Sequence, residues 1–288
     1  MDSPIKAEVL ADSYSHSNDS RITTLRLHYP RFIHSELLTH RMWSRNASSS
    51  RAIPIDKVIE QVSTNPARPR HFGRNQAGMQ AQEELTPEDK AEALRLWEEC
   101  AASCADIARK FQVLGLHKQV SNRILEPFQY MNTIVTATEW DNFFNLRLHP
   151  DAQPEIMELA QVIKDARDNS TPNSLVSGEW HIPGAQVFRH ANHPTLYKFG
   201  NEVYRAEDAL KISASICAQV SYRKEDTSLE KAINIYNRLI SSEPKHASPF
   251  EHQATPITGK DWGVTHMDKN LNKWSGNFKG WVQYRQIL

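Results

Sequence analysis

The stretch Thr39-His-Arg-Met-Trp-Ser-Arg-Asn-Ala-Ser-Ser-Ser-Arg51 is the densest polar cluster of the sequence. It follows an apolar segment that starts at Pro30, a residue suited to the first turn of a helix, and we expect this helix to end near Trp43. Arginine holds a phosphate through two parallel hydrogen bonds, and serine and asparagine add short ones around it. The stretch therefore indicates an anion site, although a solvated helix end followed by a polar loop over residues 46–50 has a similar composition.

The residues on either side of this stretch predict a strand and a long helix. Residues 22–29 alternate in polarity, which is typical of a strand. Residues 63–86 have no periodicity and predict a long surface loop, a kind of segment that is often functional. Thr86-Pro-Glu-Asp89 has the capping pattern of a helix start, and the helix is expected to stop at Gly115. Its core face is predicted from apolar residues at helical spacing, namely Leu94, Trp97, Ala101, Cys104, Ala108 and Phe111.

The remainder of the chain predicts a helix-rich α+β protein with few strands. Residues 133–136 are β-branched and predict a strand, and Thr138 is expected to cap the helix that follows. We expect residues 1–20 to be irregular, residues 168–205 to form a connector rather than core, and residues 254–281 to form turns. The whole chain is interpreted as one domain, in which residues 21–165 form the first part of the core, residues 166–205 the connector and residues 206–288 the second part.

Bulk properties exclude several classes of function. Lys and Arg number 34 and balance 34 Asp and Glu, which argues against binding along a nucleic acid polymer or an anionic membrane. No apolar stretch reaches the roughly 18–20 residues of a membrane span, and the first residues lack the apolar core of a secretion signal. We expect a cytoplasmic protein that binds a small ligand.

Cysteine and histidine spacing argues against a metal site. Cys100 and Cys104 lie one helical turn apart and are expected to pack on the buried face of a helix, and the compartment is expected to be reducing. His181, His190 and His193 lack the spacing of a metal motif and are predicted to be surface residues. The sequence therefore predicts no bound metal.

The opening stretch closely resembles the signature of the flavin-dependent thymidylate synthases. That signature reads R-H-R, seven residues and then Ser, with an Asn inside and an Arg two residues after the Ser. The residues that fit this frame are His40, Arg41, Asn46, Ser49 and Arg51. Two positions depart from it, since Thr39 stands where the family has its first Arg and Ala47 stands where the family has Glu.

Four further segments resemble motifs of the same family. They are Arg123-Ile-Leu-Glu-Pro127 (R-I-x-x-P), Asn142-Phe-Phe-Asn-Leu-Arg147 with Ala152-Gln153 and Glu155-Ile156 (N-F-x-N-L-R and A-Q-x-E-I), Ala218-Gln-Val-Ser-Tyr222 (A-R-V-S-[FY]) and His246-Ala-Ser-Pro-Phe-Glu-His252 (H-x-[ST]-P-F-E-H). Chance agreement of five separated motifs is remote.

The order of these motifs differs from that of the family. In the family the last two motifs precede R-H-R, whereas in this chain they follow it. Circular permutation is the simplest explanation of this difference. The family's Gln and first Arg are absent, because Glu36 and Thr39 occupy their positions. We hypothesise that Gln283 and Arg285 replace them, the alternative being a surface tail that ends in Q-Y-R by chance.

The resemblance implies a fold, a chemistry and a set of site residues. The implied fold is a central, mostly antiparallel sheet flanked by helices, assembled as a homotetramer. The implied reaction moves a one-carbon unit from methylenetetrahydrofolate to C5 of dUMP, with FAD and NADPH. The implied catalytic residues are Ser49, Arg51 and Arg147. The implied flavin-binding residues are His40, Arg41, Asn46, Asn142, Ser221, His246 and Ser248, and Trp43 could belong to the flavin site or to the core. The implied nucleotide-binding residues are Glu36, Ser49, Arg51, Arg123, Arg147, Gln283 and Arg285.

Glu36 keeps the identity of the substrate open. Glutamine can donate and accept a hydrogen bond, whereas an ionised glutamate only accepts. A Glu36 that faces the base suits the exocyclic amine of cytosine better than a carbonyl of uracil. A second interpretation is therefore a dCMP or dUMP methyl- or hydroxymethyltransferase that supplies modified phage DNA. A third, of another class, is a flavin- or nucleotide-binding protein without catalysis.

Overall fold

The computed structural model describes residues 3–78, 80–190, 194–221, 227–259 and 262–288. Its main sheet consists of β1 (Lys6–Ser15), β2 (Ser20–Pro30), β3 (Ser44–Ala47), β4 (Tyr130–Ala137) and β5 (Asn173–Ser174). The strand order is β3-β4-β2-β1-β5, and each neighbouring pair is antiparallel except β1 with β5, which is parallel. The predicted α+β fold with a mostly antiparallel central sheet is confirmed.

Eight α-helices surround this sheet in the described residues. They are α1 (His34–Leu38), α2 (Ile55–Thr64), α3 (Pro87–Val113), α4 (Lys118–Ser121), α5 (Asp141–Arg147), α6 (Pro154–Asp168), α7 (Ala206–Ala218) and α8 (Leu229–Ser241). The capping prediction for α3 is confirmed, because the Thr86 hydroxyl accepts a hydrogen bond from Asp89 N at 3.2 Å. No helix among these residues is both long and apolar enough to cross a membrane.

The two faces of the sheet bury different kinds of side chain. Successive residues of a strand point to opposite faces, so Val135 and Thr136 of β4 face opposite ways. One face is apolar and packs against α1, α5 and α6 in a core that contains Leu25, Leu27, Val135, Trp140, Phe143, Leu159 and Ile163. Trp43 is 3% exposed and lies in this core, with its ring centroid 4.7 Å from that of Trp140 and 4.4 Å from that of Phe143.

The opposite face is covered by α7 and by the C-terminal half of the chain, which carries short strands. A three-stranded sheet is formed by β6 (Gln186–Phe188), β7 (Leu196–Phe199) and β8 (Glu202–Tyr204). The last strands are β9 (Ala254–Pro256), β10 (His266–Met267), β11 (Lys273–Ser275), β12 (Phe278–Lys279) and β13 (Trp281–Gln283). β9 pairs with β13, and β10, β11 and β12 form a further sheet.

On the second face, a chain of buried hydrogen bonds joins β2 and β4 of the main sheet to the C-terminal half of the chain. Thr24 Oγ1 lies 2.7 Å from Thr136 Oγ1 and 2.8 Å from His181 Nε2, and Thr136 Oγ1 lies 2.8 Å from His252 Nδ1. Burial lowers the pKa of His181 and of His252 to about 3 in each case, so both imidazoles are neutral at pH 7. The expectation that His181 is a surface residue is wrong, since it is 0% exposed. His190 is exposed, and His193 lies outside the described residues.

The first helix is shorter than its apolar pattern predicts. It ends at Leu38 rather than near Trp43, and β3 occupies the first half of the expected loop. Thr39 Oγ1 bonds the Glu36 carbonyl at 2.6 Å, and Arg45 Nη1 bonds the Leu38 carbonyl at 2.8 Å. These bonds satisfy the final carbonyls of α1, while pairing with β4 satisfies the backbone beyond it.

Several expectations of irregular structure are also wrong. Residues 1–20 contain β1, residues 254–281 contain five strands or parts of them, and the expected connector supplies Ile182, Tyr197 and Phe199 to a buried cluster with α7. The strands of the connector and of the C-terminal segment have two to four residues, too few for alternation to be recognised, whereas β1 has ten residues whose burial does not alternate regularly. Cys100 is exposed rather than buried. Thr138 does not cap α5, because its hydroxyl accepts a hydrogen bond from Lys279 N at 3.0 Å.

Candidate active site

Arg147 is held from three sides where α1 and α5 meet. It sits at the end of α5, and its guanidinium donates to Glu36 Oε2 at 3.2 Å, to Thr39 Oγ1 at 3.1 Å and, through Nε, to His40 Nε2 at 3.0 Å. The Arg147 side chain is 19% exposed and that of Glu36 29%. We call this group the Arg147 cluster. Two separated motifs of the sequence therefore meet at one partly buried point.

The Arg147 cluster carries no net charge at neutral pH. Burial, and then the positive charges of Arg147 and Arg45, lower the pKa of His40 to about 4. A neutral His40 that accepts at Nε2 must carry its proton on Nδ1. Burial also raises the pKa of the Glu36 carboxyl, an effect that Arg147 opposes and Glu155 reinforces. The Glu36 carboxylate and the Arg147 guanidinium balance one another, and the cluster can present both an acceptor and donors to a polar ligand.

A second polar group, the Glu126 cluster, lies where the polar loop after β3 meets the 3-10 segment Asn122–Phe128. Glu126 Oε1 accepts from Ser50 Oγ at 2.6 Å and from Arg123 Nη1 at 2.9 Å, and it lies 3.0 Å from Arg31 Nη2. One carboxylate thus faces two guanidinium groups. In contrast to the Arg147 cluster, this one has a surplus positive charge.

Two hydrogen bonds join β3 and the polar loop that follows it to α7 and the residues just after α7. Asn46 Nδ2 donates to the carbonyl of Cys217 at 3.1 Å, and Ser49 N donates to Ser221 Oγ at 3.0 Å. Ser221 belongs to the fourth motif, whose Tyr222 lies outside the described residues. The Asn46 Oδ1 atom is buried without a hydrogen-bond partner in the described part of the chain. Two motifs that are far apart in sequence are therefore in contact.

Gln283 connects β13 with β3 and with the 3-10 turn Ser248–Glu251. Its Nε2 has three acceptors within hydrogen-bond distance, Ser44 Oγ at 3.0 Å, the Glu251 carbonyl at 3.1 Å and Asn277 Oδ1 at 2.9 Å, and the residue is 2% exposed. Arg285 is exposed and bonds the Glu251 carboxylate. Gln283 is a structural bridge between motifs, and a contact of either residue with a nucleotide stays a prediction.

The other predicted site residues present exposed side chains. They are Arg41, Arg51, Arg123, Asn142, His246 and Ser248. Among the described residues, neither Arg41 nor Arg51 has a carboxylate partner within ion-pair distance. The roles predicted for these six residues remain predictions.

Three residues of the site escaped the sequence analysis. Glu126 and Arg31 form the Glu126 cluster, and Arg45 bonds the carbonyls of Leu38 and His40 at 2.8 and 3.1 Å. Glu126 could have been found, because it lies within the R-I-x-x-P segment three residues after Arg123. In the described residues no group of three or more His, Cys, Asp or Glu is placed to hold a metal ion.

Comparison with known proteins assigns the chain to a family. The profile of the family described as "Thymidylate synthase complementing protein" matches residues 19–173, which is more than half of the chain. The chain belongs to that family. It is accordingly a methyltransferase of the thymidylate synthase type, and the prediction of an enzyme is confirmed. The matched residues hold the first three motifs, whereas Ser221 and His246 lie beyond them, so the permuted order stays a prediction.

Solved structures similar to this chain include two of one enzyme. Both are crystal structures of the UMP/dUMP methylase PolB from Streptomyces cacaoi, one bound with 5-Br dUMP and the other with 5-Br UMP. The first is 15% identical with a TM-score of 0.48 and covers 57% of this chain and 90% of that chain. The second is 16% identical with a TM-score of 0.47 and covers 57% and 89%. No curated protein matches the sequence.

Proposed function

We propose that this enzyme transfers a one-carbon unit from methylenetetrahydrofolate to C5 of a pyrimidine deoxynucleotide, with dUMP as substrate and dTMP as product. NADPH supplies the two electrons that reduce the methylene unit to a methyl group, and tetrahydrofolate and NADP are released. Membership of the family supports the reaction class. The observation that carries the proposal is the pairing of a neutral Arg147 cluster with a positively charged Glu126 cluster.

These two clusters match the two ends of a nucleotide monophosphate. The surplus charge of Arg31 and Arg123 suits a phosphate, which arginine binds through paired hydrogen bonds. The neutral Arg147 cluster suits the polar edge of a pyrimidine, because it offers donors and an acceptor without a net charge that would require a counter-ion. Arg31 and Glu36 lie on one continuous helical segment, so the two clusters have a fixed relative position.

We propose that FAD carries the electrons. When bound, it would transfer a hydride and the one-carbon unit. The residues present fit such a group, since the buried Asn46 Oδ1 atom lacks a partner in the described part of the chain and Arg41 is free to meet a phosphate. Asn142, His246 and Ser248 would hold it from the surface. The protein's part is to bind, orient and exclude water.

We further propose that several copies of the chain complete each site. The side chains of Arg41, Arg51 and His246 are exposed, whereas the Arg147 cluster is partly buried. Exposed arginines without carboxylate partners among the described residues are suited to reach a ligand bound to a neighbouring subunit. A homotetramer is the assembly proposed, and such an enzyme would act in the cytoplasm of a bacterium or a phage-infected cell.

The position of Glu36 favours a second candidate within the same class. Its carboxylate is partly buried and lies in the Arg147 cluster, where we place the base. An acceptor there suits the amine of cytosine, so dCMP is an alternative substrate and methyl or hydroxymethyl are alternative products.

One preparation tests these proposals. The purified protein is examined for a flavin absorption spectrum with and without dUMP, and turnover is assayed with dUMP and with dCMP, methylenetetrahydrofolate and NADPH. The mass of the product base identifies both substrate and product. Thymine from dUMP would support the first candidate, and a C5-substituted cytosine would support the second. A colourless protein that takes up no FAD would refute the proposal.

A further inference from the structure

A groove at one end of the main sheet has no role in the function proposed so far. Two adjoining cavities form it, with volumes of about 500 and 350 Å³, and Ser177 and Thr258 line both. Ligand sites in proteins commonly have volumes of about 300–1,000 Å³. The groove is therefore large enough for a small molecule that has two chemically different parts.

The length of β2 separates this groove from the Glu126 cluster. Residues 16–18 line the larger cavity and lie in the turn that precedes β2, whereas Arg31 directly follows the other end of this strand. A strand rises about 3.3 Å per residue, so the 11 residues of β2 span roughly 35 Å. A molecule in the groove would therefore not occupy the place that we propose for the nucleotide substrate.

Two tryptophans line the smaller cavity. The antiparallel bridge at His181 sets Trp180 beside Thr255 of β9. The Trp180 ring meets that of Tyr284 edge to face, with ring centroids 5.5 Å apart. Trp262 lines the same cavity and is 56% exposed. An exposed indole beside a cavity offers its face to a planar ring, which is how aromatic side chains bind nucleobases.

The backbone that carries Trp262 packs closely on β13. Gly263 has a φ of +72°, a conformation that side chains rarely adopt, and a Cβ placed on it would lie 2.3 Å from Val282 Cγ1. A larger residue at this position would push the loop away from β13. The contact therefore fixes the position of Trp262 relative to β9 and β13.

Thr255 brings an unsatisfied polar atom to the lining of the smaller cavity. The residue is 3% exposed, and its Oγ1 is buried without a hydrogen-bond partner in the described part of the chain. A buried hydroxyl that makes no hydrogen bond costs free energy, which a polar ligand could recover. Ser177 and Thr258 add hydroxyls to the same lining. Because a hydroxyl both donates and accepts, these groups can meet either kind of polar atom on the edge of a ring.

The larger cavity has the groups that suit an anion. Lys273 and His16 line it, and neither Asp nor Glu is among the lining residues of either cavity that the structure describes. Lysine binds phosphate as a positive point charge, and no carboxylate of this lining would repel the phosphate. Asn18 Nδ2 lies 2.9 Å from each of the carbonyl oxygens of Ile257 and Gly280, which joins this wall to the C-terminal half of the chain.

We propose that this groove is a second nucleotide site, which binds a nucleoside phosphate with its base beside Trp180 and Trp262 and its phosphates beside Lys273. The aromatic cavity suits the base and the basic cavity suits the phosphates. The lining that the two cavities share at Ser177 and Thr258 lets one molecule reach both. The site takes no part in the transfer reaction, so the inference goes beyond the proposed function and does not depend on it.

The presence of both cavities favours a nucleotide over a neutral ring or a sugar. A neutral ligand would stack on the tryptophans and would gain nothing from the charge of Lys273. A nucleoside phosphate uses both parts of the groove, and a purine offers a large ring to stack. ATP is therefore the probe, and adenosine, which lacks the phosphates, is the comparison ligand.

Calorimetry with ATP tests the aromatic part of the site. The flavin-loaded protein is first saturated with dUMP, so that the proposed active site is occupied. We expect Trp262→Ala to weaken ATP binding about 10-fold, because it removes an aromatic ring that stacks on the base. Trp262→Phe keeps a ring and should weaken ATP binding only about twofold.

The same titration with a lysine variant tests the basic part. Lys273→Gln removes the positive charge, and we expect it to weaken ATP binding about 10-fold, the value of one charge-assisted hydrogen bond, while the affinity for adenosine stays unchanged. Lys269 is an exposed lysine of the same segment that lines neither cavity. Lys269→Gln is therefore the matched control and should change neither affinity.

Three results would overturn the inference. The first is absence of ATP binding at millimolar concentration, and the second is an ATP affinity that neither Trp262→Ala nor Lys273→Gln changes. The third is an equal loss of ATP and adenosine affinity in Lys273→Gln, because Lys273 would then not hold the phosphates. Turnover of a pyrimidine nucleotide tests the proposed function separately, and the ATP titration has the same meaning whether or not turnover occurs.

Discussion

The Arg147 cluster and the Glu126 cluster use the same two residue types in opposite proportions. In the first, a single guanidinium is shared by Glu36, Thr39 and His40. In the second, a single carboxylate is shared by Arg31 and Arg123. The first is neutral and fixed on three sides, whereas the second keeps a positive charge and an Arg123 side chain that is 53% exposed.

This difference indicates that the two clusters have different roles within one site. A neutral group whose side chains are already held in position can select among uncharged bases, because its hydrogen bonds have defined directions. A charged and more exposed group can hold a phosphate strongly without selecting the base. Base identity and phosphate binding should therefore respond to different substitutions, and the following experiments separate them.

Arg147→Ala should have the largest effect. It removes every donor that the guanidinium provides and leaves the Glu36 carboxylate unpaired in a partly buried position. Truncation of one partner in such a pair costs about 2–5 kcal/mol, so we expect kcat/KM to fall about 100-fold or more. Steady-state kinetics provides the measurement. Arg109→Ala, in an exposed ion pair of α3, is the control. Activity within threefold of normal in Arg147→Ala would remove the cluster from the site.

Arg31→Ala should have a smaller effect that depends on the phosphate. One charge-assisted hydrogen bond contributes about 1.5–3 kcal/mol, so we expect the affinity for dUMP to fall about 30-fold. The affinity for deoxyuridine, which lacks the phosphate, should not change. Titration of both ligands against the variant and against Arg95→Ala, an exposed pair on α3, provides the comparison. An equal loss for nucleotide and nucleoside would contradict the assignment of the phosphate to the Glu126 cluster.

Glu36→Gln should alter the choice of base. The amide can donate as well as accept, so the ratio of kcat/KM for dUMP to that for dCMP should rise about 10-fold, the value of about one hydrogen bond. Competition between the two nucleotides in one reaction measures this ratio directly. The discrimination between dUMP and deoxyuridine should stay constant. If the ratio of the two bases does not move, Glu36 does not face the base.

His40→Gln should have the smallest effect, on the pH dependence of stability. The pKa of His40 is lowered to about 4 in the folded chain, so between pH 6.5 and 4 the unfolded chain binds a proton that the folded chain does not. Stability is therefore lost as pH falls through this window. The variant should reduce the pH dependence of the unfolding free energy by up to about 1.4 kcal/mol per pH unit, which is the value for one bound proton. Denaturant titrations at several pH values measure it, and an unchanged slope would mean that His40 is not held neutral.

The sequence predicts best those parts of the molecule where a pattern runs for many residues. The alternation of residues 22–29 and the β-branched residues of β4 are confirmed as strands, and the Thr86 cap marks the start of α3. The strands near the C-terminus could not be predicted, because segments of two or three residues carry no recognisable alternation. Their existence depends on pairing partners that are distant in sequence.

The site was predictable as a set of residues and not as a set of contacts. Glu36, His40 and Arg147 were all named, but their meeting depends on how α5 packs against α1. Glu126 was missed although it lies inside a recognised motif, because a glutamate among arginines is usually a surface ion pair. The burial of His181 was missed because the hydroxyls that satisfy it, those of Thr24 in β2 and Ser13 in β1, are 157 and 168 residues away in the sequence.

The hydrogen bond from Gln283 to Ser44 has a consequence for folding during synthesis. Ser44 and Gln283 are 239 residues apart, and a ribosome that adds about 5–20 residues per second needs about 12–48 s to make the intervening chain. During that interval Ser44 of β3 lacks the hydrogen bond from Gln283, just before the polar loop that carries Ser49 and Arg51. Catalytic competence would therefore arise late in translation, so that a stalled nascent chain holds the arginines of the polar loop but cannot yet use them.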